Sequence, residues 1–402
     1  MVEPSIPIAV VANLPTPYRL HLHRRIADEL SPVELWSLFT HEEGPAPWKL
    51  NIPETIRPVF FGAGESVSSQ GSAGAALSEW RKGARITRWC REKRIRAVIV
   101  FGCNDLTLLR TILWCRIHRV PCFLFGDSNL LGDHPRGLRA ALKGPFMAAV
   151  IGCCSGMFYC GRLGRAYFKK YGAKPGRMFQ VPYEPNYAIW ENVPDLAIAA
   201  ARVYYGISPD RRHILYCGRL APEKRVDTLL AAFAALADQR PQWDLIVAGD
   251  GPLRRRLMEQ VPTDIRQRVI WTGFINEEPL LAALFANSDL FVLPSDYEPW
   301  GVVVTEAAVR LPLICSSSVG AAADLVEEGQ NGFVFPAGDA GALHGRLLEA
   351  TEPAKLAAMK LASPAILSSW RRTADPIDGI RRALAFAGCL PDAAMSLVGG
   401  GV

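Results

Sequence analysis

The sequence predicts an α/β protein of two successive domains, each an open, mostly parallel, doubly wound sheet. Three observations carry this. Short apolar runs of strand length alternate with helical patterns from end to end. The pattern restarts after Asp195. The chain has 402 residues, half of them hydrophobic and 21% charged, which suits two sizeable cores and excludes a disordered chain.

In the first half Ile6–Ala12 reads as a strand. Tyr18, Leu22, Ile26 and Leu30 then recur on one helix face, with Thr16 as N-cap and Pro17 at the first helical position. Further strands are expected at Val33–Leu38, Ala97–Phe101, Cys122–Phe125 and Phe179–Val181, with helical stretches between them. Gly144–Gly161 is the longest uncharged stretch, but its Pro, Ser and glycines favour a buried helix and strand over a membrane span. In the second half strands are expected at Ile214–Cys217, Leu245–Ala248, Val269–Trp271, Leu290–Leu293 and Leu313–Cys315. Val226, Leu229, Leu230, Phe233 and Leu236 share one helix face.

The domains are expected at 1–182 and 196–367, joined by a stiff Pro- and aromatic-rich linker at 183–195. Ser368–Ala387 reads as a final helix with a kink at Pro376, and 389–402 as a flexible tail ending in three glycines. Gly62–Gly74, dense in Gly and Ser, also reads as mobile.

Ten cysteines are scattered without zinc-site spacing, which fits reduced, buried thiols. The N-terminus does not read as a secretion signal, so a cytoplasmic protein is expected. Residues 1–195 hold 25 Lys/Arg against 16 Asp/Glu, whereas 196–402 hold 20 against 23. The positive first half would attract an anionic membrane surface or an anionic acceptor, or it is an ordinary solvated basic surface. Nucleic acid is not expected, because no binding motif accompanies the charge. The basic stretch Gly161–Lys170 reads as a domain helix with a charged outer face, lipid contact being the alternative. His21 and His23 lie two apart on a helix, and surface positions are expected for both.

Two segments carry chemistry. In Pro294–Ala307 a buried strand ends, a loop follows, and a helix is expected to start near Gly301. Its N-terminal N–H groups suit a diphosphate, and Gly301 permits close backbone approach. Glu298 and Glu306 would flank that diphosphate and accept hydroxyl hydrogen bonds from a sugar on each side. On spacing alone, two surface glutamates around an ordinary turn are the simpler reading, because glutamates often fall this way by chance. In Cys217–Asp227, Gly218 permits a tight turn, while Arg219 and Lys224 can converge on phosphate oxygens. Solvated loop charge is the plain alternative.

Together the segments resemble the donor site of glycosyltransferase family four, whose members have the GT-B fold of two Rossmann-like domains facing a cleft. The resemblance covers nearly all of 205–350. It rests on Gly218-Arg219 with Lys224, Gly249–Pro252, Trp271–Phe274, the Glu298/Glu306 segment, and Gly329-x-Asn331-Gly332-Phe333. It implies a retaining, metal-independent transferase taking a nucleotide-sugar donor, without a cofactor. Glu298 would contact donor-sugar hydroxyls and Glu306 the ribose. Arg219 and Lys224 would hold the diphosphate. Phe274 and Ile275 would lie against the base, with Gly218, Trp300, Gly301 and Val302 completing the donor site. The acceptor, a saccharide or lipid-linked saccharide in polysaccharide or glycolipid assembly, would bind the first domain. Peripheral attachment to the inner face of a membrane is left open.

The first half departs from the family pattern. Asn13–Arg19 replaces the glycine pair that many members carry after the first strand, and no His follows the strand ending at Phe125. Asn13, Thr16 and Asp127 are the remaining candidates there. No Asp-x-Asp motif or His/Asp cluster suggests a metal. Two other functions stay open: a nucleotide-sugar-binding protein without catalysis, and a GT-B sugar-nucleotide epimerase.

Overall fold

The computed structural model describes residues 5–44, 48–67, 76–133 and 137–390. The expected flexible tail, 389–402, lies outside the described residues beyond 390, and the expected mobile stretch, Gly62–Gly74, lies outside them from 68 onward; its described part is tied down, Glu65 pairing with Lys82 at 2.6 Å. The chain divides into two compact units, Met1–Tyr183 with Ala374–Val402, and Glu184–Thr373.

Unit 1 runs β1 (Ile6–Ala12), α1 (Pro17–Glu29), β2 (Val33–Phe39), β3 (Pro58–Phe60), α2 (Ala76–Glu92), β4 (Ala97–Phe101), α3 (Leu106–His118), β5 (Cys122–Gly126), α4 (Leu138–Cys153), β6 (Gly156–Tyr159), α5 (Arg162–Lys170) and β7 (Met178–Gln180). All seven strands are parallel, in the order β3-β2-β1-β4-β5-β6-β7. Ile8–Ala12 and Ala97–Val100 are buried on both faces, which is why they read as continuous apolar runs. Leu22 and Ile26 on α1, and Leu30 at its C-cap, are buried as their spacing predicts. Thr16 holds the N-cap position, but its hydroxyl makes no cap bond.

Unit 2 runs α6 (Tyr187–Glu191), α7 (Asp195–Tyr205), β8 (Arg212–Cys217), α8 (Val226–Ala237), β9 (Trp243–Ala248), α9 (Arg254–Gln260), β10 (Val269–Gly273), α10 (Glu278–Ala286), β11 (Leu290–Leu293), α11 (Val302–Ala308), β12 (Leu313–Ser316), α12 (Ala322–Leu325), β13 (Gly332–Phe335), α13 (Ala340–Ala350) and α14 (Pro353–Thr373). Its six strands are parallel, in the order β10-β9-β8-β11-β12-β13. The predicted face of α8 is buried throughout.

Several local expectations change. The segment read as a linker is part of unit 2: Trp190 of α6 is buried edge-on to Phe285 at 4.9 Å, and its carbonyl accepts from Arg310 Nη2 at 2.6 Å. Ser368–Ala387 is not one kinked helix. α14 ends at Thr373, and a separate α15 (Pro376–Phe386) starts with Pro376 at its first position. Asp375 caps α15, accepting from the N–H of Ile377 at 2.8 Å. His23 is fully buried rather than on the surface. Its Nδ1 meets Ser37 Oγ at 2.9 Å and its ring stacks on Phe39. Burial pushes its pKa down to about 3, so it is neutral. Two strands escaped the periodicity, β3 and β13, because both are short; β3 begins with a proline, tolerated as a strand's first residue. Gly144–Gly161 does contain a helix followed by a strand, and no helix among the described residues is long and apolar enough to cross a membrane.

α15 returns to unit 1, packing on β7 and α1. Phe386 meets Phe179 at 5.8 Å, and Arg25 pairs with Asp375 at 3.0 Å. The approach is so close that a Cβ on Gly379 would lie 1.9 Å from the carbonyl oxygen of Gln180. Gly379→Ala is therefore expected to cost about 2 kcal/mol or more through overpacking. Urea unfolding checks this: an unchanged midpoint would show that α15 can move away freely.

Candidate active site

In an open parallel sheet the loops at the carboxyl ends part where strand order reverses, leaving a crevice. In unit 2 that point lies between β8 and β11, and the two segments singled out from sequence are the loops that follow these strands.

The loop after β8 is fastened to the loop after β9. Gly218 N–H donates to Ala248 O at 3.0 Å and Leu220 N–H to Asp250 O at 2.9 Å, while Tyr216 Oη donates to Arg219 O at 2.9 Å. A single 3-10 turn, Pro222–Lys224, then leads into α8. The loop after β11 is fastened on its other side. Gly320 N–H donates to Glu298 O at 3.0 Å and Ala321 N–H to Trp300 O at 2.7 Å.

Three links join the two loops across the reversal point. Asp296 N–H donates to Glu223 O at 2.9 Å. Arg225 spans Asp296 and Asp227, both at 3.1 Å. Lys224 Nζ donates to Glu298 Oε2 in a largely buried ion pair. Sequence reading gave Lys224 and Glu298 separate duties, and the fold joins them directly. Lys224 has three N–H donors, so it can hold Glu298 and still reach phosphate oxygens. Arg219 is exposed and forms no ion pair with a described carboxylate.

Gly301 adopts φ +91° at the start of α11, a conformation side chains rarely take. A Cβ there would also meet Glu298 Cγ at 3.0 Å, so the glycine keeps Glu298 in place. α11 does start one residue after Gly301 and carries Glu306 within its seven residues. Glu306 is half-buried and lies near the end of β8, where the Cys217 thiol is pushed up first by burial and then by the Glu306 carboxylate. Burial first, and then the Glu278 carboxylate, push the Glu306 carboxyl up to about 8. Near neutral pH it is largely protonated and can donate as well as accept a hydrogen bond.

Other expected donor residues divide by exposure. Phe274 and Val302 are half-buried. Ile275 is buried. Trp300 is 3% exposed and stacks on Trp370 of α14 at 5.6 Å, so its ring anchors the loop instead of facing outward.

In unit 1 the order reverses between β1 and β4. Asn13 follows β1, and its Oδ1 accepts from Arg19 Nη1 at 2.5 Å and from Leu14 N–H at 3.0 Å. Arg19 also donates to Leu14 O at 2.9 Å and lies over the Phe101 ring at 5.5 Å. Burial opposes the charge on Arg19, and Tyr183, Tyr18 and Asp127 outweigh it. Asn13 and Asp127 thus share a setting around Arg19, which sequence reading did not single out. The Thr16 hydroxyl is buried without a partner among the described residues.

The fold also gathers His41, Glu65 and Glu79, their ligand-type atoms within 4.8 Å of one another, a cluster not visible in sequence. Lys82, fully buried, sits among them: its Nζ is 2.6 Å from Glu65, 2.9 Å from Glu79 and 3.3 Å from His41. The cation these groups hold is the chain's own ammonium.

The pKa of Glu306 makes a stability prediction. The folded state keeps a proton up to about pH 8 that an unfolded glutamate loses near 4.5. This contribution is complete below the unfolded value and is lost as pH rises through the folded one. Wild-type Tm should therefore fall between about pH 5 and 8 relative to Glu306→Gln, with a constant offset below that window. A constant offset across the whole range would show that Glu306 does not titrate this way.

Comparison with known proteins shows the family and the fold. The family of glycosyl transferases group 1 matches residues 199–360. Alpha-D-kanosaminyltransferase of Streptomyces kanamyceticus is 31% identical over 274 residues, 65% of this chain and 70% of that protein. A GDP-mannose-dependent alpha-(1-6)-phosphatidylinositol dimannoside mannosyltransferase of Mycobacterium tuberculosis is 36% identical over 110 residues, 27% of this chain and 28% of that protein. Anabaena HepE in complex with UDP and glucose is similar in fold, with a TM-score of 0.69 and 18% identity, over 95% of this chain and 98% of that one. WaaG, a glycosyltransferase involved in lipopolysaccharide biosynthesis, has a TM-score of 0.65 and 18% identity, over 95% of this chain and 100% of its own. The chain belongs to the group 1 glycosyltransferases and has their GT-B fold.

Proposed function

We propose that this glycosyltransferase moves a sugar, with retention of configuration, from a nucleoside diphosphate sugar to a hydroxyl of a saccharide or lipid-linked saccharide. The setting would be polysaccharide or glycolipid assembly. The observation that carries the reading is the Lys224–Glu298 pair at the strand-order reversal of unit 2, with Glu306 at the same crevice. The relatives support it. HepE was solved with UDP and with UDP-glucose, and the mycobacterial relative is named for its GDP-mannose donor.

In this reading Lys224 and Arg219 hold the diphosphate beside the first turn of α11. Glu298, fixed by Lys224, accepts hydrogen bonds from donor-sugar hydroxyls. Glu306 binds the ribose, and Phe274 with Ile275 lines the base. Gly218, Gly301 and Val302 let backbone approach the phosphates. As the bond from the anomeric carbon to the phosphate oxygen breaks, charge builds on the leaving diphosphate. Lys224, held by Glu298, and Arg219 stabilise it more in the transition state than in the ground state. The acceptor oxygen attacks from the face the diphosphate leaves, and its proton passes to a phosphate oxygen. That route uses no protein base and no metal, and the acceptor is held by unit 1.

A thermal-shift screen across nucleoside diphosphate sugars would identify the donor, and radiolabelled transfer into a membrane extract would show turnover. With the donor known, Glu306→Ala should weaken donor binding about tenfold through the lost ribose contact. Lys224→Ala should lower kcat about 100-fold with a smaller effect on donor Kd. Unchanged kinetics in both variants would mean that the site lies elsewhere. Tight donor binding without transfer or hydrolysis would rule out turnover.

A further inference from the structure

The positive charge of this chain is concentrated in one layer of unit 1. Residues 106–177 contain 12 Lys/Arg and only two acids, Asp127 and Asp133. Asp133 is already committed, pairing with Lys143 at 2.5 Å and Lys170 at 2.7 Å. Asp127 lies close enough to stabilise the charge on Arg19. These residues span α3, α4 and α5. The crossovers β4 to β5, β5 to β6 and β6 to β7 all step the same way across the sheet. Right-handed connections therefore put the three helices side by side on one face.

The outer side of this layer is also apolar. On α3, Leu106, Leu113 and Ile117 point outward, Ile117 being 73% exposed. On α4, Leu142 is 61% and Phe146 44% exposed. Neither helix contains an acid. Arg116 and Arg119 are exposed at the end of α3, and Arg110 is part-exposed, stacked on the Trp80 ring at 4.5 Å. Across α4, Arg165, Lys169 and Lys170 are exposed on α5, whose Tyr167 and Phe168 are buried.

Leucines and phenylalanine left in water, flanked by cations and free of acids, match a surface that is anionic outside and hydrocarbon within. A soluble anionic saccharide would use the cations but not the exposed Leu and Phe. A second copy would oppose one strongly positive layer to another. We propose that the outer face of α3 and α4, with α5 as its cationic flank, docks this protein on an anionic phospholipid bilayer.

The test is co-sedimentation of the full chain with vesicles, in the absence of donor and acceptor. Failure here therefore leaves the transferase reading untouched. One set is phosphatidylcholine; in the other about a third is phosphatidylglycerol. Binding should be at least about tenfold tighter to the anionic set and should weaken as salt rises from about 0.1 to 0.5 M. Ile117→Asp/Leu142→Asp/Phe146→Asp should abolish it by removing the apolar contact. Arg116→Glu/Arg119→Glu should weaken it by about fivefold or more per residue. All five are surface positions, and circular dichroism confirms that each variant is folded. Equal binding to both vesicle sets, or wild-type binding by either variant, overturns the proposal. So does sedimentation equilibrium showing a dimer that the triple variant dissociates, which would make this face a self-interface.

Discussion

Strand order in unit 2 reverses beside β8, and the chemistry of the unit follows from that reversal. Neighbouring loops elsewhere along the sheet can close over one another, whereas those after β8 and β11 leave in opposite directions. Their polar groups would face an open gap without a crossing contact. Lys224 to Glu298, Arg225 to Asp296 and the Asp296–Glu223 backbone bond supply that contact at three levels. Each loop is also tied down on its far side, by the loop after β9 and by the segment around Gly320. Glu298 is thus held at its backbone by Gly320 and at its carboxylate by Lys224, the fixity that the role proposed for it calls for.

The sheets were legible because parallel strands covered on both faces must be apolar at every position. Ile6–Ala12, Ala97–Phe101 and Leu290–Leu293 coincide with their predicted runs. The donor-side segments were legible because each is contiguous in sequence. What escaped depends on residues far apart. Lys224 and Glu298 are separated by 74 positions, so the spacing that identified each could not show that they pair. His23 was misjudged because helix spacing says nothing about Ser37 and Phe39 on the strand beneath it. Trp300 looked like a ligand contact from its place in the segment, and only the fold puts Trp370 against it.

Unit 1 uses buried charge differently. Lys82 and Glu79, three apart on α2, form the core of a cluster completed by His41, beyond β2, and Glu65, beyond β3. Thr107 of α3 adds a 2.5 Å bond to Glu79. Burial works against the charge on Glu79, and the bonds from Thr107 and Lys82 more than restore it. Loss of Lys82 would leave the buried Glu79 carboxylate without its cation, the costly case for a desolvated charge. It fixes the loops after β2 and β3 relative to α2 and α3, next to the β1 loop where Asn13 and Arg19 lie.

The return of α15 to β7 bears on how the chain is made. β7 ends at Gln180, but the helix that covers Phe179 begins only at Pro376. All of Glu184–Thr373 lies between them in sequence. A ribosome building this protein from its N-terminus therefore releases every residue of unit 2 before the last element of unit 1 emerges. The first unit to start is the last to be completed. Until then its edge strand carries an uncovered aromatic surface, a place for a chaperone or a misplaced neighbour to bind during synthesis.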